Sequence, residues 1–176
     1  MDKFPDPVEA HARRGAPHTF NAAKFVELVT SLKHGITGTI YAPSFDHGLK
    51  GHQLETARTD LDPVEADISI LPSHRLVILE GNYILLTVPP WDQATRLLDE
   101  KWFILVEKDV ARARVVERHV MTGVAGNYEE AHKRFDENDW INGEYILNNS
   151  DVDHADRRIW SVQDRIMANP SAPFSR

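Results

Sequence analysis

The run Arg75-Leu76-Val77-Ile78-Leu79-Glu80-Gly81 constrains this chain more than any other segment. Four consecutive aliphatic side chains without alternation suit a strand buried on both faces, as in a parallel sheet covered by helices. Lys101-Trp102-Phe103-Ile104-Leu105-Val106 is a second run of the same kind. Around these runs the spacing turns helical. Ala22, Phe25, Val26, Leu28, Val29 and Leu32 recur at helical intervals, which predicts a helix over 22–33 with Thr19 or Asn21 as N-cap and Gly35 and Gly38 ending it. Asp109 is expected to cap a helix from Val110 to about Thr122, ended by Gly123. Tyr128 to Asn138 and Asn142 to Asn149 read as two further helices, and a short one is expected around Val8 to Arg14. Shorter strands are expected at 39–42, 66–71 and 158–162, with a functional loop over 43–65. Strands alternating with helices predict α/β architecture with a mainly parallel sheet.

Composition narrows the function classes. A chain of 176 residues, 41% hydrophobic and 27% charged, fits one globular domain, expected over 1–168 with a frayed tail at 169–176. The net charge of −7 argues against a general nucleic-acid binder, while leaving room for a local basic pocket. The absence of cysteine excludes disulfides, thiolate catalysis and Cys-based zinc sites. Among the nine histidines no pair has the His-x-x-x-His spacing of a helical zinc motif. The start, Met1-Asp2-Lys3-Phe4-Pro5-Asp6-Pro7, is charged and broken by proline, unlike a secretory signal. The longest apolar stretch, Tyr83 to Trp91, is interrupted by Thr87, Pro89 and Pro90 and falls short of a membrane span. These features lead us to expect a cytoplasmic chain without membrane or nucleic-acid partners.

Four groups of residues carry possible chemistry. Glu80 ends the apolar run, and in parallel sheets the ligand crevice lies beyond the carboxyl ends of the strands. An acid there can hold Mg²⁺ directly or through water, with Gly81 turning the chain away; a solvated strand-end carboxylate fits the same pattern. Arg13, Arg14 and Gly15 between His11 and His18 form a candidate anion-binding surface, or a solvated arginine pair. Asp46-His47 follows a short strand and can orient a substrate hydroxyl, or form an Asx-type turn. Arg112, Arg114, Arg118 and His119 fall on one predicted helix; Arg114 and Arg118 are four apart, share a face and can reach phosphates together, or the group is a solvated face paired with Glu117 and nearby acids. A hydrolase built on Asp46-His47 would lack an evident nucleophile, since no Gly-x-Ser-x-Gly occurs.

Taken in order, these segments resemble the uridine kinase, pantothenate kinase and phosphoribulokinase group of P-loop kinases, above all its uridine kinase-like members. The matching text is Pro5 to Pro17 with Thr19-Phe20, Tyr41 to His47, Val77 to Tyr83, Arg114 through His119, Asn138-Asp139 and Asn142-Gly143, within residues 2 to 165. The Arg-Arg-Gly and Glu-Gly-Asn-Tyr segments together make the resemblance specific. It implies a three-layer kinase fold and ATP- and Mg²⁺-dependent phosphorylation of a small-molecule hydroxyl. By matching position, Glu80 would be the acid of the Walker B-like strand. Arg13, Arg14, Asp46 and His47 would lie in the acceptor region, and Arg114 and Arg118 in a lid formed by helices over about 110–149. The chain departs from the group in having no Gly-Lys dipeptide, so it lacks the Gly-x-x-x-x-Gly-Lys-Ser/Thr cradle. It reads as a member without its first strand, P-loop and first helix, with little or no phosphoryl transfer expected. In the group's sheet that first strand lies between the counterparts of Leu76–Glu80 and Trp102–Val106. Its loss predicts exposed apolar edges, marginal stability and self-association. The other reading is a non-catalytic remnant that binds a phosphorylated ligand or a protein partner.

Overall fold

A computed structural model describes residues 13, 15–42 and 68–162. The expected helix around Val8 to Arg14, the loop over 43–65 and the tail lie outside the described residues, apart from Arg13. The chain divides into two compact units, Met1–Asp99 and Glu100–Arg176.

In the first unit a 3₁₀ turn, Pro17–Thr19, leads into α1, Ala22–Lys33. The Asn21 side chain caps α1 by accepting the Lys24 N–H at 3.1 Å, which satisfies a donor left free at the helix start. The apolar stripe of α1 faces the short helix α2, Trp91–Thr95, with the Phe25 and Trp91 rings 5.6 Å apart. Trp91, Ala94 and Leu86 are buried, and the Thr95 hydroxyl lies 2.8–3.1 Å from the carbonyls of Leu86, Ile84 and Trp91. That hydroxyl pins the 84–91 segment to the helix that follows. The short strands β1, Ile40–Ala42, and β2, Ile68–Ile70, pair antiparallel with Ile40 opposite Ile70.

The apolar run before Glu80 departs from expectation. Residues 74–80 form no ladder with any strand among the described residues, and Leu76 and Ile78 are 77% and 82% exposed. The physical reason is the lack of a partner: an extended segment becomes a sheet strand only when neighbouring N–H and C=O groups are in reach.

In the second unit β3, Trp102–Leu105, runs parallel to β4, Arg157–Trp160, with Trp102 opposite Arg157 and Leu105 opposite Trp160. Bonds from Arg157 N–H to Lys101 O (3.2 Å) and from Ser161 N–H to Leu105 O (2.7 Å) extend the pair. The parallel pairing expected from the sequence is thus present, beside the antiparallel β1–β2 pair. Strand β3 alternates, with Phe103 buried and Trp102 and Ile104 exposed, so it is covered on one face rather than two.

Helix α3, Lys108–Met121, starts two residues before the expected Val110, and Asp109 lies in its first turn instead of capping it. It ends at Gly123, whose φ of +67° suits a residue without Cβ. Asn127 caps α4, Tyr128–Arg134: its Oδ1 accepts the Glu130 N–H at 2.9 Å, while Glu130 Oε2 accepts the Gly126 N–H at 2.9 Å. The helix widens to a π-turn at Phe135–Asp139 and continues as α5, Trp140–Asn149. Val116, Ala125, Ala131 and Phe135 form the core of this unit, flanked by Val115, Val120 and Trp140. No helix among the described residues is long and apolar enough to cross a membrane.

Candidate functional site

The two segments that carry the resemblance meet in the first unit. Arg13 and Gly15 form a turn closed by the Ala16 N–H donating to Arg13 O at 2.9 Å, and Gly15 takes φ +93°, a value that L side chains rarely adopt. The Tyr83 hydroxyl donates to Gly15 O at 2.6 Å across 68 residues of sequence. Tyr83 is 2% exposed and packs between Phe20, with centroids 5.3 Å apart in an edge-to-face arrangement, and Trp91 at 5.9 Å. Its hydroxyl therefore ties the Arg-Gly turn to the Glu80–Tyr83 segment. A Cβ at Gly81 would stand 3.1 Å from Ile84 Cγ2, so the turn after Glu80 favours a residue without a side chain. Glu80 itself is exposed, and its carboxylate has no bonding partner among the described residues. Arg13 is half-buried. Arg14, Asp46 and His47 lie outside the described residues.

In the second unit Arg114 and Arg118 share one exposed face of α3. They line a shallow groove of about 370 Å³ with Glu117, Met121 and Thr122. The two guanidinium groups differ in commitment. Arg114 donates from Nη1 to Ser161 Oγ at 2.8 Å and from Nη2 to Val162 O at 2.9 Å, holding the end of β4. The Arg118 guanidinium is exposed and makes no bond among the described residues.

Arg112 and His119 belong elsewhere. Arg112 pairs with Asp136 at 2.5 Å, and His119 is buried with Nε2 2.8 Å from Asp139 Oδ2. Sequence reasoning placed His119 with the arginines and missed both Tyr83 as a tie and the pairing of His119 with Asp139. The order Arg118-His119 followed by Asn138-Asp139 in the matching text was the available signal for the second.

Taken separately, the exposed Glu80 carboxylate of the first unit is a hard oxygen ligand of the kind that Mg²⁺ takes, and the exposed Arg118 guanidinium of the second is a cation of the kind that pairs with phosphate. The 176 residues contain no Gly-Lys cradle for a triphosphate, and they do not fit ATP by themselves.

A scan against models of known protein families matches none of them. The chain is 43% identical over 149 residues to a candidate uridine kinase of Schizosaccharomyces pombe, C227.14, covering 85% of this chain and 59% of that protein. It is 40% identical over 149 residues to the ATP-dependent kinase-like protein notR' of Aspergillus versicolor, covering 83% and 80% of the two chains. Among solved structures, YFH7 of Saccharomyces cerevisiae, described as a candidate P-loop containing kinase with a circular permutation, superposes with a TM-score of 0.72 at 26% identity. That match covers 93% of this chain and 54% of YFH7. The chain belongs to the P-loop kinase family. It spans little more than half the length of the fission-yeast relative and of YFH7.

Proposed function

We propose that these residues form the acceptor-binding and lid portion of a uridine kinase-like enzyme that transfers the γ-phosphoryl group of ATP to a small-molecule hydroxyl. The observation that carries this reading is the bond from the Tyr83 hydroxyl to Gly15 O, which joins the two segments specific to the resemblance. In this reading Glu80 holds Mg²⁺, directly or through water, while Arg13, Arg14, Asp46 and His47 surround the acceptor. Arg118 stabilises charge on the transferring phosphoryl group, and Arg114 joins it on release from Ser161 and Val162. The bare Leu76–Glu80 run fits a sheet strand whose neighbour is absent from the described residues. Bound ATP would supply the phosphoryl group. With no cradle in these 176 residues, this chain alone is expected to be inactive.

The test uses a polypeptide that carries a Gly-x-x-x-x-Gly-Lys-Ser/Thr cradle together with these residues, assayed for ADP release against nucleosides, pantothenate-like alcohols and sugar phosphates. Glu80→Gln should lower kcat roughly 10²-fold or more, with an unchanged melting temperature because the side chain is exposed. Equal turnover in the variant would remove Glu80 from the mechanism.

A further inference from the structure

The segment from His74 to Glu80 contains no turn or bend and no ladder partner among the described residues. Alternation along an extended chain sets His74, Leu76, Ile78 and Glu80 on one face, and all four are exposed. The His74 Nδ1 accepts the Leu71 N–H at 3.2 Å, which leaves Nε2 as the donor of the ring, so the order on that face is imidazole donor, apolar, apolar, acid, and it complements itself when read in the opposite direction. We propose that this edge is a self-complementary dimerisation strand, pairing antiparallel with the same strand of a second copy in the register that sets Val77 opposite Val77.

The register follows from symmetry and charge. A two-fold antiparallel strand pair requires one residue to stand opposite its own copy. With Val77 there, Leu76 faces Ile78 and His74 faces Glu80, each pair occurring twice. Centring on Ile78 instead sets the Glu80 carboxylate against Leu76, and centring on Leu76 sets His74 against Ile78. Parallel pairing brings like charges alongside one another. Only the Val77 register matches apolar with apolar and imidazole donor with acid, and directly opposed pairs are what stabilise a ladder. Pairing also satisfies the main-chain groups of an open edge. The dimer takes the edge and the Glu80 carboxylate that the kinase reading gives to a neighbouring strand and to Mg²⁺, so it belongs to this chain without the cradle, and its readout is mass rather than turnover.

The chain has no cysteine, so a single introduced thiol reports one position. In the proposed register the Val77 Cα atoms of the two copies lie about 4.5–5.5 Å apart, within reach of a disulfide. Leu79 stands opposite Arg75 and has no such partner. The parent chain should sediment at twice its 20.0 kDa mass at micromolar concentration. Mild oxidation should link Val77→Cys roughly tenfold faster than Leu79→Cys. Glu80→Lys should return the chain to monomer, and His74→Glu combined with Glu80→Lys should recover the dimer. Circular dichroism melts of these surface variants verify that each is folded. A monomeric parent overturns the proposal, whatever other strand the edge receives. Equal linking at both positions, or a dimer indifferent to Glu80→Lys, overturns it as well.

Discussion

Tyr83 bears more of the first unit than its position in an exposed segment suggests. Its ring fills the space between Phe20 and Trp91, and its hydroxyl reaches Gly15 O at 2.6 Å. The two contributions separate by substitution. Tyr83→Phe keeps the ring and removes the tie, at a cost of about 1 kcal/mol; Tyr83→Ala also empties a buried aromatic site, at about 3–5 kcal/mol. Urea unfolding followed by aromatic fluorescence should rank the variants in that order; a Tyr83→Phe variant as stable as the parent would mean that the hydroxyl contributes nothing, and equal losses in both would mean that the ring adds nothing beyond it. At the opposite extreme of burial, His154 is wholly exposed with Nδ1 2.7 Å from Asp151 Oδ1. The hydrogen bond to Asp151, then the negative charges of Asp151 and Asp153, raise His154 above the usual 6.5. A raised folded value means the stabilisation is complete below pH 6.5 and fades as pH rises through the folded value. An NMR titration of the ring should show a midpoint above 6.5, and Asp151→Asn should bring it back toward that value.

At the scale of elements, the π-turn at Phe135–Asp139 shapes the helical unit most. Its wider turn carries Asp139 to the buried His119, closing α3 against the 128–149 helix at a point where an unpaired ring nitrogen would be costly. Asp139→Ala should therefore cost about 1–3 kcal/mol. Asp136→Ala, which breaks the more exposed pair with Arg112, should cost at most about 1 kcal/mol. Thermal melts compare the two directly, and a reversed order would deny His119 its structural role. The order Arg118-His119 followed by Asn138-Asp139 hinted at the pair, but the π-turn that brings it together was not legible in advance. Helical periodicity over 128–149 read as two helices with a break, because a π-turn leaves no composition signal. The same logic divides the rest of the fold. Helix α1 was legible to the residue, since its stripe and its Asn21 cap are local features. The strand expected at Arg75–Gly81 was not realised, because hydrophobicity marks a segment fit for a sheet without revealing whether a neighbour exists. The site shows this too. The Arg-Gly and Glu-Gly-Asn-Tyr segments could be read from residue types, but the bond joining them spans 68 residues and has no spacing to detect. Arg114 and Arg118 were correctly set on one face; the anchoring of Arg114 to Ser161 depends on where β4 ends.

For the molecule as a whole, the decisive quantity is how strongly these residues hold a nucleotide triphosphate. Tight binding in P-loop proteins comes from a ring of backbone N–H groups and a lysine around the β- and γ-phosphates. Here the described cation with an uncommitted guanidinium on α3 is Arg118, and it is exposed. An exposed ion pair contributes about 0–1 kcal/mol in water, and Mg²⁺ on a single carboxylate adds little because the ion keeps most of its own water. The sum falls well short of the ~8 kcal/mol that a micromolar Kd requires and lies nearer the ~4 kcal/mol of a millimolar one. Titration calorimetry of this chain with Mg²⁺-ATP should accordingly show no saturation below about 1 mM. A polypeptide joining the cradle to these residues should bind roughly 10²- to 10³-fold more tightly, and Arg118→Ala in that polypeptide should lower kcat about 10²-fold with little change in acceptor KM. Micromolar binding by this chain would show that it holds phosphates through groups other than a glycine-lysine loop. A variant that altered KM alone would place Arg118 at the acceptor instead of at the transferring phosphoryl group.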